Sequence, residues 1–246
     1  MPYRRLPTTD KARQRAIDTA INIATKKTSS ELAFSKSTLD ELHNINSLFQ
    51  NVFKQYKFDI KIQADKNKDY KASLETAKMY VSHFIQVLFL TNERGEINGG
   101  IKFYGELENF NGKVPVLNSE EEILKWGKVI IEGEQKRIQN GGSAIYNPSI
   151  ALVKIKVENF KDTAIFQNNL KRNTQRSQQK MKELRKSAND FISRLWTEIE
   201  DNIQTGPPKI KRQLSQEYGI VYVFRRKEKK HLQSEELQQD LLFKFG

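Results

Sequence analysis

The chain has 246 residues, of which 37% are hydrophobic and 29% charged, and its formal net charge is +12. Apolar content below the globular norm and charge above it point to long helices with much solvated surface, in one large domain or two small ones. Without a single cysteine, disulfides, thiol nucleophiles and thiolate metal sites are excluded, which fits a reducing compartment.

The opening Met1-Pro2-Tyr3-Arg4-Arg5-Leu6-Pro7 has basic residues with no apolar stretch behind them, so it does not read as a signal peptide. Its prolines favour an extended path that presents Arg4 and Arg5, either to a partner or back onto the rest of the chain. Glycine and proline are then missing from Thr8 to Arg94 and again from Ser149 to Thr205. Residues 95–148 between these runs hold nine of the twelve glycines. Because those two residues cost most inside a helix, the long runs predict long helices.

A first helix is expected to begin after Thr9, with Ala12, Ala16, Ala20, Ile23 and Ala24 along one side, and to end at Lys26–Ser30. Thr38 and Glu41 have capping-box spacing ahead of the stripe Leu42, Ile45, Leu48, Phe49, Val52, Phe53 and Tyr56. A further helix carries Tyr70, Leu74, Ala77, Val81, Phe84, Ile85 and Leu88. The most apolar window, Met79 to Leu90, is too short to span a membrane, and a cytoplasmic protein is expected. In the Gly-rich middle, residues 101–104 suggest a short strand, and Ser119 with Glu122 is a second capping box, opening a helix through Trp126 and Ile130. Asn140-Gly141-Gly142 reads as a left-handed helix end and Asn147-Pro148 as the start of the next helix. Residues 220–224 are the best strand candidate, with 101–104 as their expected partner, and Ser234 to Phe245 suggests a final amphipathic helix.

Residues 38–92 and 149–203 match in the order of their elements. An offset of 111 places Ala77 on Ala188, Val81 on Ile192, Phe84 on Leu195, Ile85 on Trp196 and Leu88 on Ile199. Lengthening it by one upstream places Leu48 on Phe160 and Phe53 on Ile165. Each copy is read as a long helix, a polar stretch and a second helix, although helical periodicity alone aligns any two amphipathic helices. The expected fold is therefore mainly α: an elongated helical bundle of two similar long-helix units with a small strand pair. Its segments are 1–94 (arm and first unit), 95–148 (connector with one helix) and 149–246 (second unit with a basic strand and helix), integrated into one domain.

Lys and Arg outnumber Asp and Glu by seven to two in residues 1–30 and by eleven to six in residues 151–200. The densest run is Lys171, Arg172, Arg176, Lys180, Lys182, Arg185 and Lys186, interleaved with Leu170, Thr174, Ser177, Met181, Leu184 and Ala188 at helical spacing. That run is either a solvated outer face or, together with Arg4 and Arg5, a surface for polyanions. Trp126 and Trp196 lie in apolar stripes and are expected in the core. His43 and His231 each follow an acidic residue by three positions, but in contexts that do not form a metal site, and neither Gly-Gly turn has the context of a phosphate loop. No catalytic, cofactor or metal residues are assigned.

Met1-Pro2-Tyr3-Arg4-Arg5-Leu6-Pro7 with Thr9-Asp10, Tyr80-Val81-Ser82-His83-Phe84-Ile85-Gln86-Val87-Leu88, Lys125-Trp126-Gly127 and Glu132-Gly133-Glu134 together resemble a family of uncharacterised bacterial proteins of similar length. The resemblance implies that the arm is a family feature and supplies no activity. A non-enzymatic helical binding or scaffold protein of a larger cytoplasmic assembly is expected, with a protein partner or a second copy of itself. Sequence-nonspecific nucleic-acid binding is the alternative, and an enzyme comes third.

Overall fold

The computed structural model describes residues 3–97, 99–203 and 206–225. The fold is mainly α, with a long helix pair and a small antiparallel two-stranded sheet. Helix α1 spans Asp10–Ala24, α2 Lys36–Glu93, α3 Glu120–Gln139, α4 Ile150–Asn202 and α5 Pro208–Glu217; a 3-10 segment covers Ile101–Phe110. Strands β1 (Tyr3–Arg4) and β2 (Tyr222–Val223) pair antiparallel, with Tyr3 opposite Val223 and Arg4 opposite Tyr222.

Local signals set most helix ends. The Thr9 hydroxyl caps α1 by accepting from the N–H of Ala12 at 3.2 Å, and Ser119 and Glu122 form the expected capping box of α3. Gly141, at φ +86°, ends α3 in the left-handed region. At α2 the cap moves from Thr38 to Ser35, whose Oγ accepts from the N–H of Thr38. Thr38 instead donates its hydroxyl proton to Glu198, 2.7 Å away on α4. At α4 the start shifts from Pro148 to Ile150, with the Ser149 carbonyl accepting the first helical bond from Val153.

Two expectations are corrected here. Each long unit is one uninterrupted helix rather than a helix pair, 58 residues in α2 and 53 in α4. Their polar middles contain no breaker and carry helix-compatible pairs such as Lys66–Asp69 at 3.0 Å. Residues 101–104 are not a strand: Gly100 and Gly105, at φ +66° and +56°, bracket them and turn the chain into a kinked 3-10 path. The strand partner is the arm. Helix α5, started by Pro207-Pro208, was not anticipated, and the predicted helix Ser234–Phe245 lies outside the described residues.

Buried positions obey a single offset of 111 along α2 and α4. Leu42 and Val153, Phe49 and Phe160, Ala77 and Ala188, Ile85 and Trp196, and Leu88 and Ile199 are each at most 1% exposed. The extra residue upstream is unnecessary, since it would align two positions about half exposed, Leu48 and Ile165, with residues that are not. A shared buried phase is what two amphipathic helices packed along each other require.

Compactness does not follow the linear segments. One unit takes the described residues of Met1–Lys57 and Arg176–Gly246; the other is Phe58–Gln175. In the first, α1, the start of α2, the end of α4, α5 and the sheet enclose Ile17, Leu42, Phe191, Leu195, Trp196 and Ile199, with Phe49, Met181 and Ala188 in a smaller cluster. In the second, α3 and the 3-10 segment cover Val81, Phe84, Leu88, Val153, Val157 and Phe160. Each such side chain, fully buried, contributes roughly 1.5–3 kcal/mol. Two glycines allow α3 to lie close. A Cβ on Gly127 would stand 3.0 Å from Val157, and one on Gly133 would stand 2.4 Å from the Tyr104 ring.

Candidate functional site

The arm is fastened to the first unit by more than its two-residue ladder. Past β1, the Arg5 N–H donates to the Val221 carbonyl at 2.8 Å. Arg4 reaches α4, with Nη1 at 3.0 Å from the Thr197 hydroxyl and 3.2 Å from Glu200. Tyr222 donates its hydroxyl proton to the same carboxylate, and burial followed by this bond pushes the phenol up to about 12. Leu6-Pro7-Thr8 then leads into the Thr9 cap. Of the two arrangements open from sequence, the arm adopts the one in which it folds back.

Beneath the arm lies a cavity of about 440 Å³. Its walls carry Arg5 from the arm and Arg15 from α1, with apolar surface from Ala12, Ala16, Trp196 and Ile220. No carboxylate of the described residues lines it. Neither Arg5 nor Arg15 has a side-chain hydrogen-bond or ion-pair partner among the described residues, and both are exposed. Trp196 is 1% exposed, and its Nε1 finds no hydrogen-bond partner there. Gly219 closes the wall at φ +90°, where a Cβ would come within 3.2 Å of Thr19.

Beside the cavity, Asp10 organises two arginines. Arg185 holds it through both oxygens, Nε and Nη2 at 2.8 Å each, and Arg13 Nη1 adds a third contact at 2.9 Å. Buried Arg13 also donates to Asn189 at 2.8 Å, tying α1 to α4. The Arg185 hydrogen bonds hold the Asp10 carboxyl below its usual value, against the opposing effect of burial.

The proposed polyanion residues are therefore divided. Arg4 and Arg185, 31% and 32% exposed, form ion pairs with Glu200 and Asp10. Arg176, Lys180, Lys182 and Lys186 stand exposed on α4 of the first unit, opposite buried Ser177, Met181, Leu184 and Ala188. None of the four has an ion-pair partner among the described residues. Lys171 and Arg172 fall in the second unit, where Lys171 lies over the Tyr70 ring at 5.9 Å. Both tryptophans are buried as expected, while His43 and His83 are exposed and His231 lies outside the described residues.

The second unit holds a closed polar cluster. Glu134 accepts from Arg137 at 2.8 and 2.9 Å, from the Ile145 N–H at 3.0 Å and from the Tyr104 hydroxyl. Burial alone would raise the Glu134 carboxyl; Arg137 and these donors hold it below its usual value. Burial and Glu134 push the Tyr104 phenol up in turn. With all three side chains at most 1% exposed, the cluster joins α3 to the 3-10 segment and offers nothing to a ligand.

Compared with protein-family models, curated proteins and solved structures, the chain matches none of them. Function must be argued from these surfaces. Among the described residues, no helix is long and apolar enough to cross a membrane, and no cluster of three acidic or histidine side chains suits a metal ion. Sequence reasoning singled out Arg5 but missed Arg15 and the cavity, since only the docked arm brings the two arginines onto one wall.

Proposed function

We propose that the chain is a non-enzymatic helical scaffold protein of a larger cytoplasmic assembly, which it enters by pairing with a second copy of itself. The observation that carries this reading is the outer face of α4 in the Phe58–Gln175 unit. Leu152, Ile155 and Phe166 are 36%, 51% and 47% exposed, and their helical spacing puts them on one side. Val153, Val157, Phe160 and Ala164 take the opposite, buried side. Asn159, midway along the exposed side, lines a hollow of about 210 Å³ floored by Ala72, Ser73 and Thr76 of α2. Apolar knobs beside this shallow hollow, which Lys156 also lines, support a self-complementary patch of the kind a two-fold contact uses. Lys154, Glu158, Lys161 and Asp162 line one edge of this face with both signs of charge, Lys154 and Glu158 paired at 3.9 Å, so the edge carries no net charge to repel a second copy.

Sedimentation equilibrium over the micromolar range is expected to show a dimer. Ile155→Arg and Phe166→Arg, both at exposed positions, should each weaken it by about tenfold or more at unchanged helicity. A wild-type chain that stays monomeric throughout refutes the pairing.

Arg176, Lys180, Lys182 and Lys186, exposed and without ion-pair partners among the described residues, support a second reading, sequence-nonspecific nucleic-acid binding. Four phosphate contacts would give log K against log salt a slope of roughly −3 to −4 on duplex DNA. Fluorescence anisotropy with unrelated duplexes measures it, and no binding at low salt eliminates the reading.

A further inference from the structure

We infer that the cavity under the arm binds a small organic anion, a carboxylate or phosphate head on a short apolar body. Its volume of about 440 Å³ lies within the range of small-ligand sites, roughly 300–1,000 Å³. Among the described residues two guanidinium groups and no carboxylate face it, so that wall is electrostatically one-sided. The neighbouring arginines show what this unit does with cations it needs for folding: Arg4 is matched to Glu200, and Arg13 and Arg185 to Asp10. Among the described residues Arg5 and Arg15 are left unmatched, both at the cavity wall, and guanidinium groups are well shaped to hold a planar or tetrahedral oxyanion.

The remaining wall suits the body of such a ligand. Leu6 and Val221 present exposed apolar surface, and Trp196, 1% exposed, backs the wall. The arm is already fixed by β pairing and by Arg4, so Arg5 is presented without the cost of ordering a loose segment. These residues are different from those of the α4 pairing face, and either proposal can fail alone.

Two tryptophans give a direct readout, because the full-length ¹⁵N-labelled chain has one indole N–H signal from Trp126 and one from Trp196. Octanoate and octyl phosphate, titrated separately, are expected to shift the Trp196 signal to saturation and leave Trp126 in place. Whichever binds more tightly identifies the head group. Octylamine, with the same body and opposite charge, should leave both signals unmoved. Arg5→Gln and Arg15→Gln, at exposed and unpaired positions, should each weaken binding about tenfold with an unchanged thermal midpoint. The inference is overturned if neither anion moves Trp196, if octylamine binds as well, or if a chain carrying both Arg5→Gln and Arg15→Gln binds like the wild type.

Discussion

Glu134→Ala is expected to lower the unfolding free energy by about 3–5 kcal/mol, the cost of leaving a buried cation without its partner. Arg137 is 1% exposed and makes its charged contacts to Glu134 alone. Removing the carboxylate also orphans the Ile145 N–H and leaves the Tyr104 hydroxyl with only the weaker Arg137 contact at 3.2 Å. Water cannot readily make up the loss, since the three side chains are closed off from solvent. Tyr104→Phe removes one donor and no charge, so about 1 kcal/mol is expected. Urea unfolding at neutral pH, with equal m values, measures both. Near-equal losses for the two variants would show that the Glu134–Arg137 pair within α3 adds nothing beyond the Tyr104 hydrogen bond that joins α3 to the 3-10 segment.

Asp10→Asn should cost about 2–4 kcal/mol in the other unit, for a related reason. One carboxylate there neutralises two arginines, and the amide keeps the shape but not the charge. Arg13 is the sensitive member, because its side chain is only 8% exposed while that of Arg185 is 32% exposed. The pH dependence has a definite sign. The folded state holds Asp10 below its ordinary 3.8, so the unfolded chain takes up the proton first as pH falls. Stability from this group is complete above about pH 4 and is lost as pH drops through the lower, folded value. Glu134 and Glu198 are also held below their ordinary value, which steepens the acid limb. Asp10→Asn should flatten that limb in a series of denaturation curves from pH 6 to pH 2; an unchanged limb contradicts the assignment.

Much of the helical architecture was legible because it rests on local rules. Thr9 caps α1, Ser119 and Glu122 box the start of α3, and Gly141 ends it, each through bonds within four residues. The buried residues of α2 and α4 follow helical spacing, and the mixed composition of the 171–186 run correctly separated a buried stripe from a basic face. The errors arose where a distant group intervened. Thr38 looks like an N-cap until Glu198 takes its hydroxyl, and residues 101–104 look extended until the flanking glycines turn them. The ion pairs of Arg4 and Arg185 were hidden for the same reason, since their acidic partners lie far along the chain or on another helix.

The sequence by itself determined that this is a long-helix protein whose basic residues gather in the arm and in α4, because breaker positions, caps and helical periodicity are local properties. Only the tertiary structure decided which arginines stay unmatched. Arg4 and Arg5 are adjacent and chemically identical, yet the strand pairing that fastens the arm turns one toward Glu200 and leaves the other facing a cavity with Arg15. Successive side chains on an extended strand point to opposite sides, and which side meets a carboxylate depends on residues two hundred positions away.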